Sequence, residues 1–104
     1  MSDNYILDAS HNVIKTDFMT WAVWYESNDR IVKVTMIDNI KISTVFLGLD
    51  HNFYQQGPPL FFETMIFGEG EFDEYQERCS TWDRAVEQHE RAVNMVSAAV
   101  APKP

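Results

Sequence analysis

Basic residues and cysteine are scarce in this chain of 104 residues. Lys and Arg total 8 against 16 Asp and Glu, which gives a formal net charge of -8. Clustered Lys and Arg recruit phosphate backbones, so this balance argues against direct nucleic-acid binding. Cys79 is the only cysteine, so one chain contains neither a disulfide nor a cysteine-based zinc cluster. These features indicate a reducing compartment.

Long apolar runs are also missing. No stretch approaches the roughly 18 apolar residues of a membrane span, and residues 1–12 lack the pattern of a secretory leader. We therefore expect a cytoplasmic protein that does not bind a membrane. The hydrophobic share of 45% is too high for a disordered chain. It predicts a single compact domain over residues 1–100 and a flexible tail over residues 101–104.

The apolar spacing predicts an α+β fold. Alternating or β-branched runs indicate strands, and apolar residues at steps of three and four indicate helices. We expect a small antiparallel sheet of three or more strands with two helices packed on one face. The predicted elements are a hairpin over residues 5–14, a helix over 17–27, strands over 30–37, 40–47 and 60–67, a solvated acidic loop over 69–77, and a helix from 80 onward.

The last predicted helix has one apolar stripe. Its members recur at steps of three and four, so this side is expected to face the sheet. The stripe consists of Trp82, Val86, His89, Val93 and Val96.

Four polar residues are candidates for acid, base or metal chemistry. Asp50 and His51 lie in a long loop after a predicted strand, Glu63 interrupts an apolar strand, and His89 lies on the apolar helix stripe. If all four converge, they form the active site of a small metal-dependent or acid/base enzyme. If they do not, Asp50 and His51 stabilise a turn, while Glu63 and His89 make hydrogen bonds in or near the core.

The partner of Glu63 is expected from the neighbouring strand, the long loop or the last helix. The candidates are Lys41, Ser43, Thr44, His51 and His89. The spacings HExxH, GxGxxG and GxxxxGK[ST] are all absent, so we predict no cofactor and no defined metal site.

A second set of candidates suits protein contacts. Acids interleaved with aromatics can face a basic partner surface, although such a run is commonly a solvated loop. On the first helix, Trp21, Trp24 and Tyr25 cover a wider arc than one core face needs, and Trp24 is the candidate for an exposed anchor. The remaining partner-binding candidates are Glu69, Glu71, Phe72, Asp73, Glu74 and Tyr75.

Three stretches carry a family resemblance. Residues 42–51 read ISTVFLGLDH, residues 58–68 read PPLFFETMIFG, and STW at residues 80–82 is followed by Ala85 and His89. In these stretches the chain resembles a group of small uncharacterised proteins encoded by tailed bacteriophages and prophages. The resemblance implies the bacterial host cytoplasm as location and a host or phage protein as partner. It carries over no functional residue.

We therefore expect a small acidic phage accessory protein that acts by protein–protein interaction. One alternative is the small enzyme that uses Asp50, His51, Glu63 and His89. The other is a self-assembling component, such as a homodimer, in which an uncovered strand face pairs with its own copy. That face is predicted to contain Phe61, Glu63, Met65 and Phe67.

Overall fold

The computed structural model describes residues 3–53, 56–68, 72 and 74–100. The predicted tail, 101–104, lies outside the described residues. The elements in chain order are β1 (Asn4–Leu7), β2 (Val13–Thr16), α1 (Phe18–Ser27), β3 (Ile31–Ile37), β4 (Ile40–Phe46), β5 (Phe62–Phe67), β6 (Gln76–Cys79) and α2 (Trp82–Val100).

The strands form two antiparallel sheets. β1 and β2 make a hairpin, and β3, β4, β5 and β6 pair in sequence order to form a four-stranded sheet. α2 packs across all four strands of that sheet, whereas α1 packs against β1. The α+β fold predicted from the sequence is confirmed.

The four-stranded sheet has two different faces. Ile42, Thr44 and Phe46 of β4 are fully buried on the face that α2 covers, which we call the inner face. Because side chains alternate along a strand, Lys41 and Ser43 point to the opposite side, which we call the outer face. The sharing of one face by Ile42, Thr44 and Phe46 follows the two-residue period of a strand.

The buried apolar residues form two clusters beneath the inner face. A polar layer of Thr44, Thr64, Gln88 and His89 is buried as well. The first cluster contains Ile42, Ile66, Phe72, Ala92 and Val96, and the second contains Phe46, Phe61, Phe62 and Ala85. Phe61 therefore belongs to the core, and its predicted place on an uncovered strand face is wrong.

The buried stripe of α2 differs from the prediction. His89 and Val96 are buried as expected, but Val86 is 36% exposed. The other buried residues are Ala85, Gln88 and Ala92. Their small or hydrogen-bonded side chains let the helix lie close to the sheet. The prediction did not include them because it relied on the spacing of large apolar residues.

The strand β6 was not predicted. The prediction of a loop over residues 69–77 is wrong for residues 76 and 77, where β6 pairs antiparallel with β5. Its sequence, Gln-Glu-Arg-Cys, has no strand alternation of apolar residues. Charged side chains are common on edge strands because they discourage pairing with other chains.

Candidate functional site

Helix α1 is apolar on every side, yet none of its residues is buried. Thr20, Glu26 and Ser27 are the only members of its ten residues outside the apolar and aromatic classes. A helix that is apolar all round is normally enclosed by other protein. Composition and burial therefore disagree at α1.

One side of α1 is attached to the domain. Trp21 and Tyr25 pack against Gly48, where an added Cβ would lie 2.9 Å from Trp21 Nε1 and 3.0 Å from a Tyr25 ring carbon. Arg30 lies over the Tyr25 ring and donates a hydrogen bond to its hydroxyl. At the helix start, Asp17 accepts hydrogen bonds of 2.8 Å from the backbone N–H and the hydroxyl of Thr20. These contacts fix the orientation of the helix.

The other side of α1 is open. Met19 and Val23 on this side are 69% and 64% exposed, and Phe18 at the helix start, whose ring lies 5.9 Å from that of Trp21, is 61% exposed. Beside them lies a groove of about 560 Å³, and none of the residues that line it is charged. Its lining consists of Ile6, Met19, Thr20, Val23, Trp24, Ser27 and Asn28. We call this groove, together with Phe18, the α1 surface.

Trp24, the predicted exposed anchor, is partly buried. Its ring meets Phe46 edge-on, with centroids 5.6 Å apart and an interplanar angle of 89°. The same side chain lines the groove. The exposed large side chains of α1 are instead Phe18, Met19 and Val23. Sequence reasoning missed them because periodicity does not tell which side of an all-apolar helix is attached.

The acidic segment is described in part. Glu69, Glu71 and Asp73 lie outside the described residues, and Glu74 is exposed. Phe72 is buried in the first core cluster, which leaves little of its side chain for a partner. Tyr75 is partly buried and donates a 2.7 Å hydrogen bond to Glu77. Burial and this hydrogen bond raise the pKa of Tyr75 to about 12.

Glu63 lies on the outer face and is paired there. Its Oε2 accepts hydrogen bonds of 2.8 Å from Arg78 Nε and 2.6 Å from Gln76 Nε2. None of the partners expected from the sequence is used. Both observed partners belong to β6, so the pairing of Glu63 was missed together with that strand.

Asp50 and His51 close the long loop between β4 and β5. Asp50 Oδ1 accepts hydrogen bonds of 2.8 Å from the backbone N–H groups of Asn52 and Leu60. The His51 N–H donates to the Leu60 carbonyl at 2.8 Å, and the His51 ring lies 5.4 Å from that of Phe53. This is the turn-stabilising alternative for Asp50 and His51.

His89 is fully buried in a chain of hydrogen bonds. Its Nε2 lies 2.8 Å from Thr35 Oγ1, and its Nδ1 lies 2.7 Å from Thr44 Oγ1. Thr44 and Thr64 hydroxyls are 2.6 Å apart, and Gln88 Nε2 donates to Thr64 at 2.8 Å. His89 is therefore a core histidine, as one alternative predicted, and its hydrogen-bond partners are threonine hydroxyls.

The amide of Gln88 is the fixed donor at one end of this chain. Gln88 Nε2 can only donate, so Thr64 accepts from it and has its own proton free for Thr44. If Thr64 donates to Thr44, the Thr44 hydroxyl donates to His89 Nδ1. The ring proton then lies on Nε2, directed at Thr35, and the hydroxyls and the ring also permit the reverse order. In either order the imidazole is neutral and both of its nitrogens are hydrogen-bonded. Burial, with a smaller effect of the Lys33 charge, lowers the pKa of His89 and favours the same state.

The enzyme candidates are not gathered at one place. His89 contacts inner-face threonines, while Glu63 is paired on the outer face, so the sheet separates them. The Asp50 carboxylate oxygen Oδ1 is occupied by two backbone N–H groups of its own loop. Among the described residues, no group of three or more His, Cys, Asp or Glu side chains is placed to hold a metal ion.

A polar cleft joins the hairpin turn to the start of α2. Its volume is about 410 Å³, and it is lined by Ser10 to Val13 and Ser80 to Asp83. His11 stacks on Trp82 there, with centroids 3.7 Å apart and rings inclined by 11°. Sequence reasoning did not single out His11, because nothing local to the turn indicates contact with a helix 70 residues later. The stack ties the hairpin to α2.

Comparison of the chain with protein-family models, curated proteins and solved structures gives no match. Within the described ranges, neither helix has both the length and the apolar character needed to cross a membrane.

Proposed function

We propose that this protein is a small acidic accessory protein of phage type that acts by binding another protein through the α1 surface. The observation that carries the proposal is a helix with seven apolar or aromatic residues in ten, attached along one side, whose Phe18, Met19 and Val23 are each more than half exposed. Contiguous apolar surface of this kind in a small domain typically marks an interaction site. The bacterial cytoplasm and a host or phage partner belong to the same proposal.

The occupant we propose for the groove is an amphipathic helix of the partner, with basic residues beside its apolar stripe. The groove lining is uncharged, so it suits an apolar stripe, and the flexible Met19 side chain can adapt to it. Asp17 precedes α1, and Glu26 lies near its end, both exposed. With a net charge of -8, these carboxylates favour a partner that carries Lys or Arg beside the stripe.

The acidic segment has a supporting role in this proposal. Its acids, Glu69, Glu71, Asp73 and Glu74, add to the field that attracts a basic partner. Replacing them with neutral residues is expected to slow association and to reduce its salt dependence, with the α1 contact preserved. The α1 surface, rather than this segment, determines which sequence is bound.

The test compares two double variants with matched chemistry. Met19→Glu with Val23→Glu places two carboxylates on the α1 surface, and Met95→Glu with Val86→Glu makes the same changes on exposed positions of α2. We expect the first pair to reduce retention of the partner from bacterial lysate by about tenfold or more, because an unpaired carboxylate in an apolar contact is costly. The α2 pair should retain as much partner as the unchanged protein.

Overlapping synthetic peptides of the retained protein then identify the bound segment. The proposal expects binding peptides with an apolar stripe at helical spacing flanked by Lys or Arg, and no binding of these peptides to the Met19 and Val23 variant. Equal retention by both double variants contradicts the proposal. So does a bound segment that is acidic, or one that still binds the α1 variant.

A further inference from the structure

Within the part of the chain that the structure describes, the outer face of the four-stranded sheet is a second unpartnered surface, separate from the α1 surface. Cross-strand pairing arranges its side chains in three rows. Six of its residues are apolar, and four of these are more than 40% exposed, namely Ile31, Val34, Met36 and Phe67. The rows are Met36, Lys41 and Phe67; Val34, Ser43, Met65 and Gln76; and Ile31, Val45, Glu63 and Arg78.

The described helices lie elsewhere. α2 packs on the inner face, and α1 packs on the hairpin. The outer face is therefore a sheet surface with apolar side chains in all three rows, at the place where a sandwich fold would carry a second sheet.

The charge of this face differs from that of the rest of the molecule. Its charged residues are Lys41, Glu63 and Arg78, which sum to +1, while the whole chain carries -8. Glu63 and Arg78 already form a 2.8 Å ion pair. Two copies that meet here thus avoid bringing acidic surfaces together.

The face is also complementary to itself. Lys41 lies in the first row and Glu63 in the third, on neighbouring strands. A two-fold axis can run between the two sheets, along the middle row and across the strands. It reverses the strand direction of the second copy, so the first row of each copy faces the third row of the other. Lys41 then comes beside Glu63 of the second copy, twice. In the middle row, Val34 and Ser43 each lie opposite their own equivalents.

The area suits a reversible contact. The four strands lie about 4.8 Å apart, which sets the width of the face, and about six residues per strand at a rise of about 3.4 Å each set its length. The flat area is therefore roughly 400 Å² per copy. The total of roughly 800 Å² lies below the 1,200 to 2,000 Å² of stable complexes and in the range of weak ones. We propose that a second copy of this chain covers the outer face, forming a weak two-fold dimer in which two four-stranded sheets pack face to face.

The first test is sedimentation equilibrium over roughly a hundredfold range of protein concentration around micromolar values. The unchanged protein should shift from monomer to dimer as concentration rises. Val34→Glu places two carboxylates against each other on the axis and should weaken dimerisation by about tenfold or more. Val23→Glu, a matched change on the α1 surface, should leave the dimer constant unchanged.

The second test uses the two-fold position of Ser43. In a Cys79→Ser background, Ser43→Cys should give a covalent dimer with a short bis-maleimide, each of whose two alkenes adds one thiol. Sheets packed face to face lie about 10 Å apart, which is too far for a direct disulfide between facing cysteines. Asn94→Cys, exposed on α2, is the control and should stay monomeric. A monomer at every concentration overturns the proposal, as does crosslinking at position 94 equal to that at position 43. A dimer broken by Val23→Glu and kept by Val34→Glu would place self-association on the α1 surface instead.

Discussion

The two helices show burial that is the reverse of what their compositions suggest. α2 contains charged residues in every turn of its first half and still buries five side chains, whereas α1 is almost entirely apolar and buries none. The difference lies in how each helix meets its neighbours. Ala85 and Ala92 let α2 approach the sheet closely, while α1 is attached through the bulky rings of Trp21 and Tyr25. Apolar content alone thus does not determine what the domain buries, and the excess on α1 is what we assign to a partner.

The attachment of α1 is tested most severely at Gly48. Gly48→Ala should destabilise the protein by about 3 kcal/mol, because φ is +76° and the new Cβ would collide with Trp21. Gly57 is the matched control, with φ of +79° but nothing within 4 Å of an added Cβ. Gly57→Ala should cost only about 1 kcal/mol of backbone strain. Urea unfolding of both variants measures the difference, and equal losses would mean that α1 is not held at Gly48.

The same substitution in each helix sharpens the comparison. Val96 in α2 is fully buried, so Val96→Ala should lower the free energy of unfolding by about 2 kcal/mol through lost burial and a cavity. Val23 in α1 is 64% exposed. Val23→Ala should change stability by about 0.5 kcal/mol or less, and in the stabilising direction, because alanine has the higher helix propensity.

Thermal or urea unfolding of the two valine variants decides this point. A large loss at Val23 would show that α1 is enclosed in the isolated protein, which contradicts the assignment of its open side to a partner.

The smallest expected effect is a pH dependence of stability that comes from His89, the buried histidine of α2. Burial lowers the pKa of His89, so the unfolded chain, with a histidine pKa near 6.5, binds more protons than the folded one. The free energy of unfolding should therefore fall as pH drops below about 6.5 and stop falling, for this group, below the folded pKa. The charged neighbours Lys33 and Glu90 contribute in opposite directions.

His89→Gln removes this titration, so its stability should vary less between pH 7 and pH 5.5 than that of the unchanged protein. Asn94→Gln, exposed on α2, is the control and should keep the original slope. If His89→Gln keeps the slope as well, the acid sensitivity does not come from the buried histidine.

The elements with strong apolar patterns were predictable. The helix at Phe18–Ser27, the central strand Ile40–Phe46 and the start of α2 near Trp82 all agree with the sequence analysis within about two residues. β6 was missed because its side chains are polar, and it forms through backbone pairing with β5 that no local pattern encodes. The role of Glu63 was missed for the same reason.

The polar layer shows a different limit of sequence reasoning. Threonine is an ordinary strand residue, so Thr35, Thr44 and Thr64 do not stand out in the sequence. Gln88 is polar, and its sequence position suggests the solvent-exposed face of a helix. Only the packing of α2 on the sheet brings them to His89. The open side of α1 was likewise unpredictable, since it depends on the contact of Trp21 and Tyr25 with Gly48, a residue far along the chain.

The central claim is that the open side of α1 contacts another protein, and site-specific photo-crosslinking tests it most directly. A photoreactive p-benzoylphenylalanine is placed at Val23 or, as the control, at Val86 on the exposed side of α2, and bacterial cells that express each variant are irradiated. We predict one dominant adduct from position 23, joined to a segment with an apolar stripe and basic flanks, and no such adduct from position 86. Adducts only with the protein's own chain, the same adduct from both positions, or none from position 23 would contradict the claim.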